Sequence, residues 1–222
     1  MSSQVPLKER ALSQERIARI GRKVKAVCPG FNAAAFTVQV SADLPHLELK
    51  ARTADALHQY LPVTGPAALD TLPRSLPATP EAAGAPTDFG LYIYAPHSAY
   101  VAAHHLHPER LGQAFAALAA ITPYFSAEDT VRAFLNTYPE RTLAAAAGWA
   151  AASDHRVRRV ASEATRPHLP WSVGTDLAVD TAHPLKPRGT AALAPGSYHL
   201  ALQVNGRRHP PALLRFTGDR TG

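Results

Sequence analysis

Three prolines, Pro108, Pro123 and Pro139, recur at intervals of fifteen and sixteen residues through the middle of the chain. Proline lacks an amide hydrogen and its ring collides with the carbonyl one turn back, so each marks a helix boundary. Between them the apolar residues keep a helical period, which gives helices of roughly 10–15 residues. Helices that short are marginal alone in water and must bury a stripe on neighbours. Joined by short loops, such helices favour an α-solenoid of stacked helical hairpins. No clean sequence repeat accompanies the pattern.

The same punctuation extends towards both ends. Ile17, Ile20, Val24 and Val27 fall on one helix face and Arg16, Arg19 and Lys23 on another, before Cys28-Pro29-Gly30 stops the run. Asn32 is placed as an N-cap, with Phe31 and Phe36 spaced for a hydrophobic staple. Leu47, Ala51, Ala54, Leu57 and Leu61 predict a third helix. Residues 62–90 collect prolines and glycines and read as a loop-rich connector with one short helix over 66–72. Helical pattern resumes near Tyr94. Ser126 with Asp129, and Thr137 with Glu140, have the spacing of capping boxes.

Asp154 opens a further helix. Val157, Val160, Ala161 and Ala164 cover about 100° of one face at the helical period. Arg156, Arg159, Glu163 and Arg166 form a stripe about 80° wide on the opposite face. That helix ends at Pro167, and Pro170-Trp171 follows. Beyond Ser172 the period changes to two: Tyr198–Val204, then Asn205-Gly206, then a run to Phe216, the pattern of a β-hairpin. Pro210 and Pro211 restrict the second strand to an edge. The predicted organisation is a mostly α domain over 1–172 and a short β-rich tail over 173–222.

Charge separates along the chain. The net charge is +6, with seven Lys/Arg against two Asp/Glu in residues 1–30 and six against ten in residues 31–150. Basic ends suit a phosphate polyanion, although a solvated surface without a partner has the same composition. The single cysteine, Cys28, excludes an internal disulfide framework and a cysteine-rich zinc site. No apolar run approaches the roughly 18 residues of a membrane span, and MSSQVPLKER lacks a signal-peptide core. The expectation is a monomeric cytoplasmic protein. His104, His105 and His107 have no patterned carboxylate, and no P-loop or dinucleotide fingerprint is present, so no metal and no nucleotide cofactor are expected.

The stretch FSAEDTVRAFLNTYPERTLAAAAGWAAASDHRVRRVASEATRPHLPW, residues 125–171, closely resembles the central HEAT-like repeats of bacterial alkylpurine DNA glycosylases of the AlkC type. Shared features are the Ala-Glu opening a helix, the Tyr-Pro-Glu-Arg-Thr-Leu start, His-Arg-Val-Arg-Arg, and a Ser-Glu-x-Thr-Arg-Pro-x-Leu-Pro-Trp end, with Ala164 where a Gly is usual. PLKER, PGFNAAAF and LELKAR resemble that family's first repeats. The tail from His183 to Arg208 resembles the end of the immunoglobulin-like domain some members carry. The resemblance implies a HEAT-like α-α superhelix followed by a β-hairpin remnant of that domain. It also implies a further repeat bearing a third catalytic carboxylate. That repeat has no counterpart here, because Trp171-Ser172 leads directly into the tail, as after an internal deletion.

The activity so implied is hydrolysis of the N-glycosidic bond of cationic N3-alkylated bases, such as 3-methyladenine, in duplex DNA. The leaving base departs neutral, so the sugar that turns oxocarbenium-like is what a site can stabilise. Carboxylates aimed at it supply that stabilisation and orient water. The resemblance gives these roles to Glu128 and Glu163, with Trp171 against the lesion and Arg156, Arg158, Arg159 and Arg166 on phosphates. Each residue also has a plainer reading. Glu163 fits an i,i+4 pair with Arg159, Glu128 complements the helix dipole, and Trp171 fits an interhelical contact. Arg156 and Arg158 fit solvated charges. Two other functions stay open: a catalytically impaired DNA-binding pseudoenzyme, and a helical scaffold that binds protein.

Overall fold

The computed structural model describes residues 11–40, 46–83 and 91–166, and strand residues 196–200, 203–204, 207–208 and 212–216. The chain divides into two units, Met1–Thr175 and Asp176–Gly222.

In the first unit, α1 (Gln14–Val27) buries Ile17, Ile20 and Val24, as the spacing predicts, and ends at Cys28. α2 (Ala33–Gln39) starts where expected. Asn32 Oδ1 accepts from the Ala35 amide at 3.1 Å, and the Phe31 and Phe36 rings pack 5.3 Å apart. α1 and α2 approach closely at Gly21, where a Cβ would stand 3.1 Å from Phe36. α3 (His46–Tyr60) buries Ala54 and Leu57, with Leu61 just beyond it, as the spacing predicts, but not Ala51. Leu49, Thr53, Ala54, Ala56 and Leu57 are buried, whereas Ala51 is exposed. The Thr53 hydroxyl makes this possible by donating to the Leu49 carbonyl at 2.6 Å.

The connector region holds the short helix expected over 66–72. α4 (Gly65–Arg74) buries Ala68, Leu69 and Leu72 and tolerates Pro73 one residue from its end. Gly65, at φ +58°, makes the left-handed turn into it. After short 3₁₀ turns at Glu81–Ala83 and Tyr92–Tyr94 come α5 (Ala95–His105), a 3₁₀ turn at Pro108–Arg110, and α6 (Leu111–Ile121). α7 (Glu128–Thr137), α8 (Pro139–Ala150) and α9 (His155–Ala164) follow.

The capping boxes are corrected. The residue before α7 is Ala127 and that before α8 is Tyr138, and neither makes a side-chain cap. Ser126 donates instead to Glu128, and Thr137 to the Ala133 carbonyl. Asp154 does cap α9, accepting from the Arg156 amide at 2.7 Å.

The helices stack in two layers. α3, α5, α7 and α9 pack in succession in one; α1, α4, α6 and α8 pack in succession in the other. α2 joins the layers at the N-terminal end by contacting both α1 and α3. The core runs between the layers through Ile20, Phe36, Leu57, Leu72, Val101, Leu118, Phe134 and Val160. Trp149 is half-buried against Phe115, their ring centroids 6.0 Å apart. Among the described residues no helix is long and apolar enough to cross a membrane.

In the second unit, Gly196–Leu200 (β1) pairs antiparallel with Ala212–Phe216 (β4). Gln203–Val204 (β2) pairs with Arg207–Arg208 (β3), Val204 opposite Arg207. Leu213 is exposed. Pro210 and Pro211 lie outside the described residues.

Candidate active site

The first turn of α7 carries two acids, and their neighbours send them to different places. Asp129 reaches Lys50 of α3 at 3.6 Å, away from α9. Glu128 is buried, 7% exposed. Its Oε1 accepts from the Ser126 hydroxyl at 2.8 Å and stands 3.5 Å from Arg159 Nη2 of α9. A carboxylate at a helix N-terminus is favoured by the dipole. Here the neighbouring hydroxyl and guanidinium compensate for its removal from water.

On α9 the apolar residues Val157, Val160, Ala161 and Ala164 are buried as predicted. This leaves Arg156, Arg159, Glu163 and Arg166 on the other side. Glu163 does not take Arg159 as its partner. Its Oε2 pairs with Arg166 Nη1 at 3.1 Å, while Arg159 turns to Glu128. Arg159, one turn before Glu163 on the same helix face, thus ties the α9 stripe to the buried Glu128 of α7, while Glu163 and Arg166 form a second pair.

The end of α9 is fixed from below by a residue that the sequence reasoning did not single out. Arg132 of α7 is fully buried. Its Nη1 and Nη2 donate to the Arg166 carbonyl at 2.7 and 2.6 Å, and Nη1 lies 3.5 Å from the Ala164 carbonyl. A guanidinium at a helix C-terminus satisfies carbonyls that have no intrahelical partner and complements the dipole. Burial lowers the Arg132 pKa, opposed by the charges of Asp129 and Glu128. The signal was present: an arginine among Val131, Phe134 and Leu135, which α7 buries.

Beside Glu128 lies a cavity of about 400 Å³ lined by Thr122, Tyr124, Phe125, Ser126, His155, Arg156 and Arg159, among others. It joins the α6–α7 turn to the start of α9. Its walls combine aromatic rings with guanidinium groups, and Ser126 and Arg159 connect it to Glu128. Arg156 reaches Glu81 at 2.9 Å and Asp154 at 3.3 Å.

Arg158 stands apart from this group. It donates to the Ala152 and Ser153 carbonyls at 2.8 and 2.7 Å and lines a separate hollow with Leu143 and Ser162. Trp171 lies outside the described residues. Among the described residues no cluster of three metal-ligating side chains occurs.

No protein-family model matches the chain. Over 164 residues, 72% of this chain, it is 30% identical to "Uncharacterized protein YhaZ" of Bacillus subtilis (strain 168), and covers 42% of that protein. Among solved structures, the Pseudomonas fluorescens alkylpurine DNA glycosylase AlkC bound to DNA containing an abasic site analog superposes with a TM-score of 0.66. The identity is 29%, over 77% of this chain and 46% of that one. The chain thus spans less than half the length of either relative, and its helical unit has an AlkC-like fold.

Proposed function

We propose that the chain binds duplex DNA and hydrolyses the N-glycosidic bond of cationic N3-alkylated bases, 3-methyladenine being the test substrate. One observation carries the reading. The buried Glu128 carboxylate stands 3.5 Å from Arg159, which lines an aromatic and basic cavity, and Glu163 lies one turn beyond Arg159 on α9, paired with Arg166. A sugar that gains positive charge as the bond breaks is stabilised by fixed negative oxygens in a water-poor setting. The arginines pair with those oxygens before DNA arrives and meet the flanking phosphates once it has. In this reading Glu128 and Glu163 are the catalytic carboxylates, Arg156, Arg159 and Arg166 are the phosphate contacts, and Trp171 supports the lesion. Arg158 is assigned to phosphate by the resemblance alone. The protein acts as a monomer on DNA in the cytoplasm, without metal or cofactor.

The test is duplex DNA carrying a single 3-methyladenine, scored by alkaline cleavage at the abasic site. Base release by the wild-type chain, lost on Glu163→Gln, supports the proposal. DNA affinity without release favours a second reading, a DNA-binding chain that has lost catalysis. The arginine partners of both carboxylates favour that alternative, because an arginine that stays on a carboxylate offsets the negative charge that would stabilise the oxocarbenium-like sugar.

A further inference from the structure

The segment Pro77–Ala83 runs beside the cavity and is held from three sides. The Tyr124 hydroxyl donates to the Pro77 carbonyl. Arg19 Nη2, from the basic face of α1, donates to the Ala83 carbonyl at 3.0 Å. Arg156 Nη2, from the start of α9, donates to Glu81 Oε1 at 2.9 Å. The segment brings little packing of its own: Ala78, Thr79, Glu81 and Ala82 are exposed, and only Ala83 is buried. Arginines from two helices far apart in sequence thus converge on the oxygen atoms of one thin strap. Both belong to basic stripes, Arg16, Arg19 and Lys23 on α1 and Arg156, Arg159 and Arg166 on α9.

We infer that this strap masks a phosphate-binding track that runs from Arg19 to Arg156, with the Glu81 carboxylate standing in for a DNA phosphate. The inference rests on the proposed DNA-binding reading and extends it to the N-terminal helix and to a competition within the chain. An exposed ion pair is held only weakly, so a polyanion that supplies several phosphates displaces it. When the strap lifts, Arg156 and Arg19 pass to phosphate oxygens, and each adds a released counterion to the binding equilibrium. Glu81 therefore lowers affinity for DNA of any sequence and leaves the carboxylates of the site untouched.

The experiment measures affinity of the full chain for undamaged duplex DNA against salt concentration, which requires no base release. Glu81→Gln is expected to tighten binding by roughly three- to tenfold at 50 mM salt with the salt slope unchanged, because the same arginines reach phosphate in both complexes. In an Arg156→Ala background the same substitution is expected to gain nothing. Glu140→Gln, which removes an equal charge from the exposed first turn of α8, controls for net charge. The inference is overturned if Glu81→Gln binds like the wild type. It is equally overturned if the Glu140→Gln gain is as large, or if the gain survives Arg156→Ala. A wild-type chain with no salt-dependent affinity overturns the DNA-binding reading itself, and the strap with it, whereas binding without base release leaves the strap standing.

Discussion

Arg132 has exchanged water for two backbone carbonyls inside the protein, and that exchange is why it matters more than its charge suggests. Removing it leaves the end of α9 with unpaired carbonyls and a cavity below. Arg132→Ala is therefore expected to cost about 2–4 kcal/mol in urea unfolding. A loss below about 1 kcal/mol would mean that water replaces the guanidinium. Lysine restores only part of the loss, since it cannot bond both ways in one plane.

Two histidines give a second residue-scale test. Burial pushes His97 and His105 down from the ordinary value of 6.5 to about 4. The unfolded chain then binds more protons than the folded one between those values. Their contribution is complete above pH 6.5 and is lost as pH falls towards 4. The thermal midpoint should drop between pH 7 and 5, and His105→Gln should flatten that drop; an unchanged pH profile in the variant contradicts the assignment. Single residues with local partners, such as Asn32 and Asp154, were legible in the sequence. The Glu128 partner was not, because nothing in the chain order says that Arg159 chooses it over Glu163.

Among the elements, α9 carries the account because its apolar stripe, cap and charged face agree with one another. Asp154→Ala removes the cap and one partner of Arg156, and is expected to cost about 1 kcal/mol. The same substitution should lower base release by loosening Arg159. If stability falls while release is untouched, the α9 face is not part of the site. The elements misread from sequence share one cause, competition for the same polar groups. Ser126 has the spacing of a cap, but the side chain of Glu128 takes its hydroxyl. Thr53 looks unsuited to a core, yet its hydroxyl is satisfied within its own helix, so it is buried while Ala51 is exposed. α4 was legible over 66–72 despite its prolines, because Pro73 sits where the helix already ends and Pro66 where it begins.

For the whole molecule, helix lengths set by proline made the helical unit legible, while the pairing of helices into layers required contacts that no single segment encodes. A surface with Arg156, Arg159 and Arg166 on phosphates should bind duplex DNA with a log–log salt slope near −3, at about −0.9 per phosphate. Arg159→Ala should reduce its magnitude by about one. A slope near zero contradicts a phosphate interface. The most direct test of the central claim is the single-turnover rate of 3-methyladenine release by the wild type, Glu128→Gln, Glu163→Gln and the double variant. Two carboxylates acting on one developing cation predict losses of about 10²–10³ for each single change, with the double variant losing less than the product. Release at the wild-type rate from either single variant would remove that carboxylate from the chemistry and contradict the account.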